Sequence, residues 1–407
     1  MDDGQRWDGY RSGDAGLRRV AVALFAAGLG TFALLYSTQA LLPVLSRDFG
    51  VSPAMAALSL AVTTAGVGVG LIPAAWLSDA VGRTPVMTLS LVCSAALGLL
   101  GALAPSFGVL LVLRALEGLA LAGLPAVAMA YLAEEVHPNA LGGAVGLYIG
   151  GNAIGGMTGR LLAGGLADAG GWRAAIAGVG LMGVVCALVL LRVLPASRNF
   201  RARRATSPRQ ALRHLRGPLA DPGLLRLDAM GALLMGTFVA VYNGLGFRLA
   251  AAPFHLSPAA LALVFLVYPV GSASSASAGR LADRVGRRTV LPLGVLLTFG
   301  GLALTATASL PLIVVGVATL TAGFFAGHSV ASSWVGRRAA GSAGQASALY
   351  LLAYYAGSSV AGPLAGTAWS ADRWNGVLLI AAAMLGVALL VSLRLRRTPP
   401  LAAAAAA

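Results

Sequence analysis

The sequence has no lysine, and all 29 of its basic residues are arginine. Only 14 acidic residues, four histidines and two cysteines occur in 407 positions, and charged residues make up 11% of the chain. Soluble domains carry about 25% charged residues, so an ordinary water-soluble enzyme is excluded. A disordered tail is excluded too, because it needs a polar composition. Cys93 and Cys186 both lie inside apolar runs, which argues against a disulfide scaffold and a cysteine-ligated zinc site. His137, His214, His255 and His328 are scattered and show no metal-ligand spacing. No phosphate-binding glycine motif follows a strand pattern. An integral-membrane enzyme and an ATP-driven pump are disfavoured on these grounds, and no cofactor or metal is expected. The net charge of +15 and pI of 11.2 would suggest nucleic acid in a soluble chain. In a membrane protein the same excess marks one face.

What is plentiful is apolar: 58% of residues are hydrophobic, and mean hydropathy is +0.82. A spanning helix needs about 20 mostly apolar residues. Twelve such runs can be read, at 20–44, 54–77, 86–104, 107–132, 140–164, 173–194, 225–247, 259–280, 289–307, 310–334, 343–366 and 375–395. None alternates apolar and polar as a barrel strand would. Each run should be helical, because backbone groups in lipid must be satisfied within the segment.

Arginine counts set the orientation. With the N-terminus inside, 23 arginines fall on the cytoplasmic side. Four fall outside (Arg47, Arg173, Arg248, Arg373) and two within spans (Arg114, Arg160). Both termini are therefore expected in the cytoplasm. A lipid-binding role for the basic stretch 198–216 is a secondary option. The first 17 residues include four Asp and precede a span-length run, so no cleavable signal peptide is expected. The tail Ala402–Ala407 is low in complexity.

The chain also repeats itself. Asp79-Ala80-Val81-Gly82-Arg83 recurs as Asp283-Arg284-Val285-Gly286-Arg287 at an offset of 204 residues. Ser52-Pro53-Ala54 recurs as Ser257-Pro258-Ala259 at 205. Leu147-Tyr148 recurs as Leu349-Tyr350, and Leu162-Ala163-Gly164 as Leu364-Ala365-Gly366, both at 202. Four matches in order at nearly one offset indicate a duplicated six-span unit. The expected organisation is a cytoplasmic segment 1–19, a six-helix bundle 20–194, a basic linker 195–224, a second six-helix bundle 225–397 and a tail 398–407. Parallel halves related by an axis along the membrane normal are a known transporter plan, with the substrate near the bilayer midplane.

The segment Gly279-Arg280-Leu281-Ala282-Asp283-Arg284-Val285-Gly286-Arg287-Arg288 resembles the major facilitator superfamily signature G-x-x-x-D-R-x-G-R-R at every position. The first-half copy departs from it at Ala75, Ala80 and Thr84 but keeps Asp79, Gly82 and Arg83. Arg114-x-x-x-Gly118 is similar to the family's R-x-x-x-G motif. Gly151-Asn152-Ala153-Ile154-Gly155-Gly156 resembles the antiporter motif G-P-x-x-G-G, with Asn replacing Pro, which leaves the expected kink open. Tyr131–Pro138, Gly146–Asn152, His328–Trp334 and Gly344–Ser347 look closest to the YnfM-like branch, grouped with drug:proton antiporters. The resemblance implies an all-α integral membrane fold of twelve transmembrane helices in two pseudo-symmetric six-helix bundles. It also implies a monomer in the bacterial inner membrane, with a small-molecule substrate, protons and lipid as partners.

Candidate residues follow from chemistry and resemblance together. Asp79, Gly82, Arg83, Gly279, Asp283, Arg284, Gly286, Arg287 and Arg288 form an expected cytoplasmic gate; the alternative is plain topology with local counter-charges. Gly151, Gly155, Gly156 and Gly159 on span 5, and Gly271 and Ser275 on span 8, offer stripes of small residues that permit close helix contact. These stripes are expected to face each other across the halves, as are Gly66, Gly70 and Ala74 with Gly357, Ala361 and Ala365; packing within one half is the alternative. Charges inside spans are costly and normally face an interior or a cavity. Arg114 and Glu117 share one face of span 4, so Glu117 is either a proton-coupling carboxyl or half of a static ion pair. His328 titrates or is a neutral structural residue, and Asp228 is a polar end-anchor before it is a proton site. Arg160 either attracts an anionic substrate or pairs with Glu117, or it packs beside a carbonyl or snorkels outward. By resemblance the cavity is lined from spans 1, 4, 7 and 10 by Tyr36, Gln39, Tyr242, Asn243, Phe324 and Phe325, with Tyr148, Asn152, Tyr354 and Tyr355 from spans 5 and 11. The functional expectation is a proton-coupled exporter of a small organic molecule. An importer or an uncoupled facilitator on the same fold is the alternative.

Overall fold

The computed structural model describes residues 7–200, 216–339 and 342–398. Residues 1–6, 201–215, 340–341 and 399–407 lie outside the described residues, among them His214 and the 201–213 part of the basic stretch.

The helices in chain order are α1 (Ala15–Tyr36), α2 (Leu42–Phe49), α3 (Pro53–Val81), α4 (Arg83–Ala102), α5 (Phe107–Leu121), α6 (Gly123–Glu135) and α7 (Pro138–Val193). After the linker come α8 (Pro222–Ala250), α9 (Pro258–Ala262), α10 (Tyr268–Val285), α11 (Arg287–Leu304), α12 (Leu310–Arg338) and α13 (Ala343–Arg396). Among the described residues, ten helical stretches are long and apolar enough to cross a membrane.

Two of these are too long to cross once. A straight helix of 56 residues, the length of α7, would reach about 84 Å against a hydrocarbon core of about 30 Å. Helical geometry fails at Gly170 and Gly171 in α7 and at Asp372 and Arg373 in α13. The chain doubles back at the first break. Gly28 and Gly30 of α1 face Asn152 and Cys186 respectively, residues that a straight α7 would hold about 50 Å apart. Gly376 likewise lies against the Ala368 carbonyl. Counted by arm, the ten stretches hold twelve helical arms.

Span 8 is not the single helix expected over 259–280. A turn of 3-10 helix at Leu263–Val267 separates α9 from α10. Pro269 explains it, since it lacks an N–H and crowds the carbonyl four residues earlier. No such break occurs at Asn152, where α7 keeps helical geometry; asparagine retains the donor that the motif's proline would remove.

The chain divides into two compact units, 1–44 with 62–206 and 45–61 with 207–407. The duplication is visible in their geometry. The helix breaks at Gly170 and Asp372 are 202 residues apart. Gly82 at φ +110° and Gly286 at φ +85° are 204 apart. Gly155 packs on Leu29 in the first unit and Gly357 on Ala232 in the second, again at offsets of 202 and 203.

The small-residue stripes correct the expectation that they face across the halves. Gly151, Gly155 and Gly159 lie on the backbone of Phe25, Leu29 and Ala33 in α1, so this stripe is filled within its own unit. Gly271 faces the Phe325 ring of α12, and the Ser275 carbonyl accepts from the Ser329 hydroxyl at 3.5 Å. Gly66 and Gly70 lie on α5 at Ala115, Leu119 and Ala122, and Gly118 returns the contact at Thr63. In the second unit Gly357 lies on α8, and Ala361 and Ala365 form a buried cluster with Ala240. Span 11 does meet the start of α3, but through Gly366 on Pro53 and Ala54. The physical reason is packing without a hydrophobic drive: in lipid, helices bind by dispersion at closest approach. The barest stripes therefore serve contacts inside each unit.

Candidate functional site

In the first unit, two buried arginines converge on the C-terminal end of α1. That end is the negative pole of the helix, and its last carbonyls lack the usual N–H four residues on; the Leu34 carbonyl also accepts from the Ser37 hydroxyl at 2.9 Å. From α5, Arg114 donates through Nη2 to the Leu35 carbonyl at 2.8 Å, and through Nη1 to the Leu34 carbonyl and Ser37 Oγ, both at 3.1 Å. Its Nη1 also reaches Glu117 Oε2 at 2.7 Å, three residues on along the same face. Both side chains are buried to within 2%. Glu117 Oε1 is buried and has no hydrogen-bond partner among the described residues. Gly98 of α4 makes room for it, since a Cβ there would lie 3.3 Å from that oxygen.

Arg160 of α7 donates through Nε to Gln39 Oε1 at 2.8 Å and through Nη1 to the Gly156 carbonyl at 2.5 Å. Its guanidinium stacks 4.1 Å from the centre of the Tyr36 ring. Tyr148 is buried on the same arm of α7, and Asn152 faces Gly28. The structure thus gathers Tyr36, Gln39, Arg114, Glu117, Tyr148, Asn152 and Arg160 in one unit.

The other cavity candidates lie in the second unit, in an aromatic cluster. Phe324 stacks on Phe238 at 4.2 Å and meets Phe325 edge-on at 5.2 Å. Tyr242 donates to or accepts from Thr321 Oγ1 at 2.8 Å, and Asn243 beside it is buried. His328 pairs through Nδ1 with the Tyr350 hydroxyl at 2.9 Å and packs 4.9 Å from Tyr354, which meets Tyr355 edge-on. Asp228 on α8 has a buried Oδ1 with no hydrogen-bond partner among the described residues. One turn on, Gly231 lies under the Tyr350 ring, which places Tyr350 over the same face of α8.

The two copies of the loop signature differ in how densely they are bonded. The degraded copy carries the denser network. Arg83 donates to Asp79 Oδ1 at 2.5 Å, Ser78 Oγ at 2.7 Å and Glu134 Oε1 at 2.8 Å, and lies 5.6 Å over the Phe200 ring. In the complete copy Arg287 reaches Asp283 at 3.1 Å and Ser333 Oγ at 3.3 Å, with Asp283 63% exposed. The difference lies at the end of the fourth span. Arg337, 203 residues beyond Glu134, has the opposite charge and shares Asp283 at 3.6 Å. Its neighbour Arg338 pairs with Asp221 at 2.8 Å. Burial pushes the Asp221 carboxyl up, but the Arg338 guanidinium and the Gly223 N–H outweigh it and hold the group below its usual range. Gly279 and Gly286 have open space where a Cβ would stand, Arg280 caps Ser277 at 3.3 Å, and Arg288 donates to the Thr398 carbonyl at 2.6 Å. Arg284 closes α10 in its last turn.

Sequence reasoning missed Glu134, although it sits in the quoted stretch Tyr131–Pro138. Its partner is 51 residues away, and no local spacing announces it. Arg173 and Arg248 were also missed as structural groups. Arg173 donates to the Ala102 and Ala104 carbonyls at 2.9 Å. Arg248 donates to the Thr305 and Thr307 carbonyls, the equivalent positions of the other unit.

With this geometry in view, comparison with known proteins is decisive. The Major Facilitator Superfamily model matches residues 20–251 and 229–407. The chain belongs to the major facilitator superfamily. It is 46% identical to the inner membrane transport protein YnfM of Escherichia coli over 93% of this chain and 91% of that one. It is 42% identical to the uncharacterized MFS-type transporter YybF of Bacillus subtilis, over 95% and 96%. A bacterial homologue of the human lysosomal transporter Spinster superposes with a TM-score of 0.78 at 17% identity, covering 95% of this chain and 98% of that one. At that identity the likeness speaks for fold alone. The chain is therefore a multi-pass membrane transporter and not an enzyme.

Proposed function

We propose that this transporter exports a small organic molecule across a bacterial inner membrane by alternating access, in exchange for protons, with both termini on the cytoplasmic side. Glu117 is the coupling carboxyl, Arg114 its counter-charge, and the Asp79–Arg83 network a latch on the cytoplasmic side. The observation that carries this reading is the asymmetry of Glu117. One carboxylate oxygen is held by Arg114 at 2.7 Å, while the other is buried with no hydrogen-bond partner among the described residues. Burial disfavours the charged form and a close arginine favours it. A carboxyl placed between these opposed effects changes protonation for a small change in surroundings. Arg114 stays anchored through either state, because the Leu34 and Leu35 carbonyls hold it independently of Glu117.

The test uses inside-out vesicles energised to an acid interior, a pH-sensitive dye and a panel of amphipathic compounds. A compound should release the proton gradient in vesicles with the wild-type protein and fail to do so with Glu117→Gln. Equal release by wild type and Glu117→Gln would reduce the pair to a static support and move the search to His328 and Asp228. Labelled-compound counterflow without a gradient then distinguishes an uncoupled facilitator.

A further inference from the structure

Ahead of α1, residues 7–14 fold back on the end of α6. The Tyr10 N–H donates to the Glu135 carbonyl at 2.9 Å, and the His137 N–H donates to the Tyr10 carbonyl at 3.0 Å. Gly9 permits this approach. Its φ is +92°, and a Cβ there would lie 2.7 Å from the His137 nitrogen; only glycine meets both conditions without strain. The Tyr10 ring lies across Gly16, and Trp7 meets it edge-on at 4.5 Å.

A second segment, 193–200, closes on the same place from the end of α7. Glu135 is fully buried, and its Oε1 accepts from the N–H groups of Arg198 and Asn199 at 2.8 and 2.9 Å. The Asn199 amide donates both to the Trp7 carbonyl at 2.9 Å and to the Glu134 carbonyl at 2.8 Å. The Arg198 guanidinium stacks 5.0 Å from the Trp7 ring. Tyr131 Oη donates to the Pro195 carbonyl at 2.9 Å, and Arg19 Nε to the Val193 carbonyl at 3.2 Å. Phe200 then runs beneath Arg83 and beside Gly82.

These contacts share one target. Glu134 is the carboxylate that holds Arg83, and its own backbone is tied through the Asn199 amide to Trp7. We infer that residues 7–14 and 193–200 form a single clamp on the Asp79–Arg83–Glu134 network and set how readily that network opens. The regulatory role rests on the reading of the network as a latch; the mechanical coupling does not. A buried carboxyl oxygen that accepts two backbone N–H groups, and an amide that bridges two carbonyls, make one connected network whose bonds reinforce one another. Loss of one strand of the clamp should therefore loosen the other and the network with it.

Hydrogen exchange by mass spectrometry on the full chain in lipid nanodiscs tests the coupling. Wild type is compared with Asn199→Ala and with Trp7→Ala; Trp7→Leu, which keeps apolar bulk, serves if either variant fails to fold. The expected result is exchange at least about tenfold faster at 78–84 as well as at 7–10 and 131–137. Faster exchange confined to 7–10 and 197–199, with 78–84 unchanged, would overturn the clamp. Asp79→Asn in the vesicle assay tests the latch separately. Unaltered proton release there would refute the latch while leaving the exchange result to decide the clamp.

Discussion

The contact between α1 and α7 can be broken with a single methyl group. A Cβ at Gly155 would lie 2.6 Å from the Leu29 Cα, where carbon pairs prefer about 3.5–4.0 Å. The obstacle is backbone, which cannot rotate aside, so the two helices must part by about 1 Å. Parting also strips dispersion contact from Gly151 and Gly159, which sit on α1 four residues to either side. Overpacking of this kind costs about 1–3 kcal/mol, and alanine returns up to about 1 kcal/mol of helix propensity over glycine. From the middle of that range the net loss is about 1 kcal/mol, a fall in Tm of roughly 2–4 °C for a unit of this size. Gly165→Ala is the matched control on the same arm, because nothing lies within 4 Å of its Cβ position. It keeps only the propensity gain and should melt at or slightly above wild type. With the half-buried Cys93 replaced by Ala in every variant, a thiol-reactive dye in detergent reads the transition, since Cys186 is buried against Gly30 of α1. Equal melting of Gly155→Ala and Gly165→Ala, within about 1 °C on the scale used above, would show that the stripe does not bear on α1.

Two further outcomes follow from the polar contacts. Arg173→Ala should uncover the Ala102 and Ala104 carbonyls at the end of α4 and cost about 1–3 kcal/mol, and Arg248→Ala should cost a similar amount at the Thr305 and Thr307 carbonyls; a dye melt at or above the wild-type Tm for both would refute the capping role. Asp221 has a folded pKa held below its ordinary value, so its contribution is fully present above the unfolded pKa of about 3.9 and is lost as pH falls through the folded value. Asp221→Asn should accordingly melt below wild type at neutral pH and converge on it in strong acid, and a gap that persists or widens on acidification would contradict the assignment.

Much of the fold was readable because a membrane imposes simple rules. Apolar runs of span length must be helical in lipid, and the offset of about two hundred residues announced a duplication that recurs in Gly82 and Gly286, and in Gly155 and Gly357. The pairing of Arg114 with Glu117 was readable too, since three residues along a helix place two side chains on one face. What held Arg114 was not readable. The Leu34 and Leu35 carbonyls are ordinary backbone of an apolar helix, and only the approach of α5 to the end of α1 makes them ligands. The stripes misled for a related reason. A stripe of glycine states that some helix comes close and carries no information about which one.

The latch shows the same division. Asp79, Gly82 and Arg83 were legible as a motif, and so was the complete copy at Asp283–Arg288. How tightly each copy is held was not legible, because that depends on Glu134 and Phe200, brought in from the end of α6 and from beyond α7. Arginine counts pointed to a face but gave no role to the four arginines off it, of which Arg173 and Arg248 close helix ends. Sequence by itself determined what is set by local chemistry and solvent: helical spans, a twofold repeat, buried charges on one helix face and glycine where φ is positive. Tertiary structure alone decided which helices share a stripe, which carbonyls receive each guanidinium and which copy of the motif is tightly held, because those are contacts between segments whose separation along the chain leaves no periodic trace.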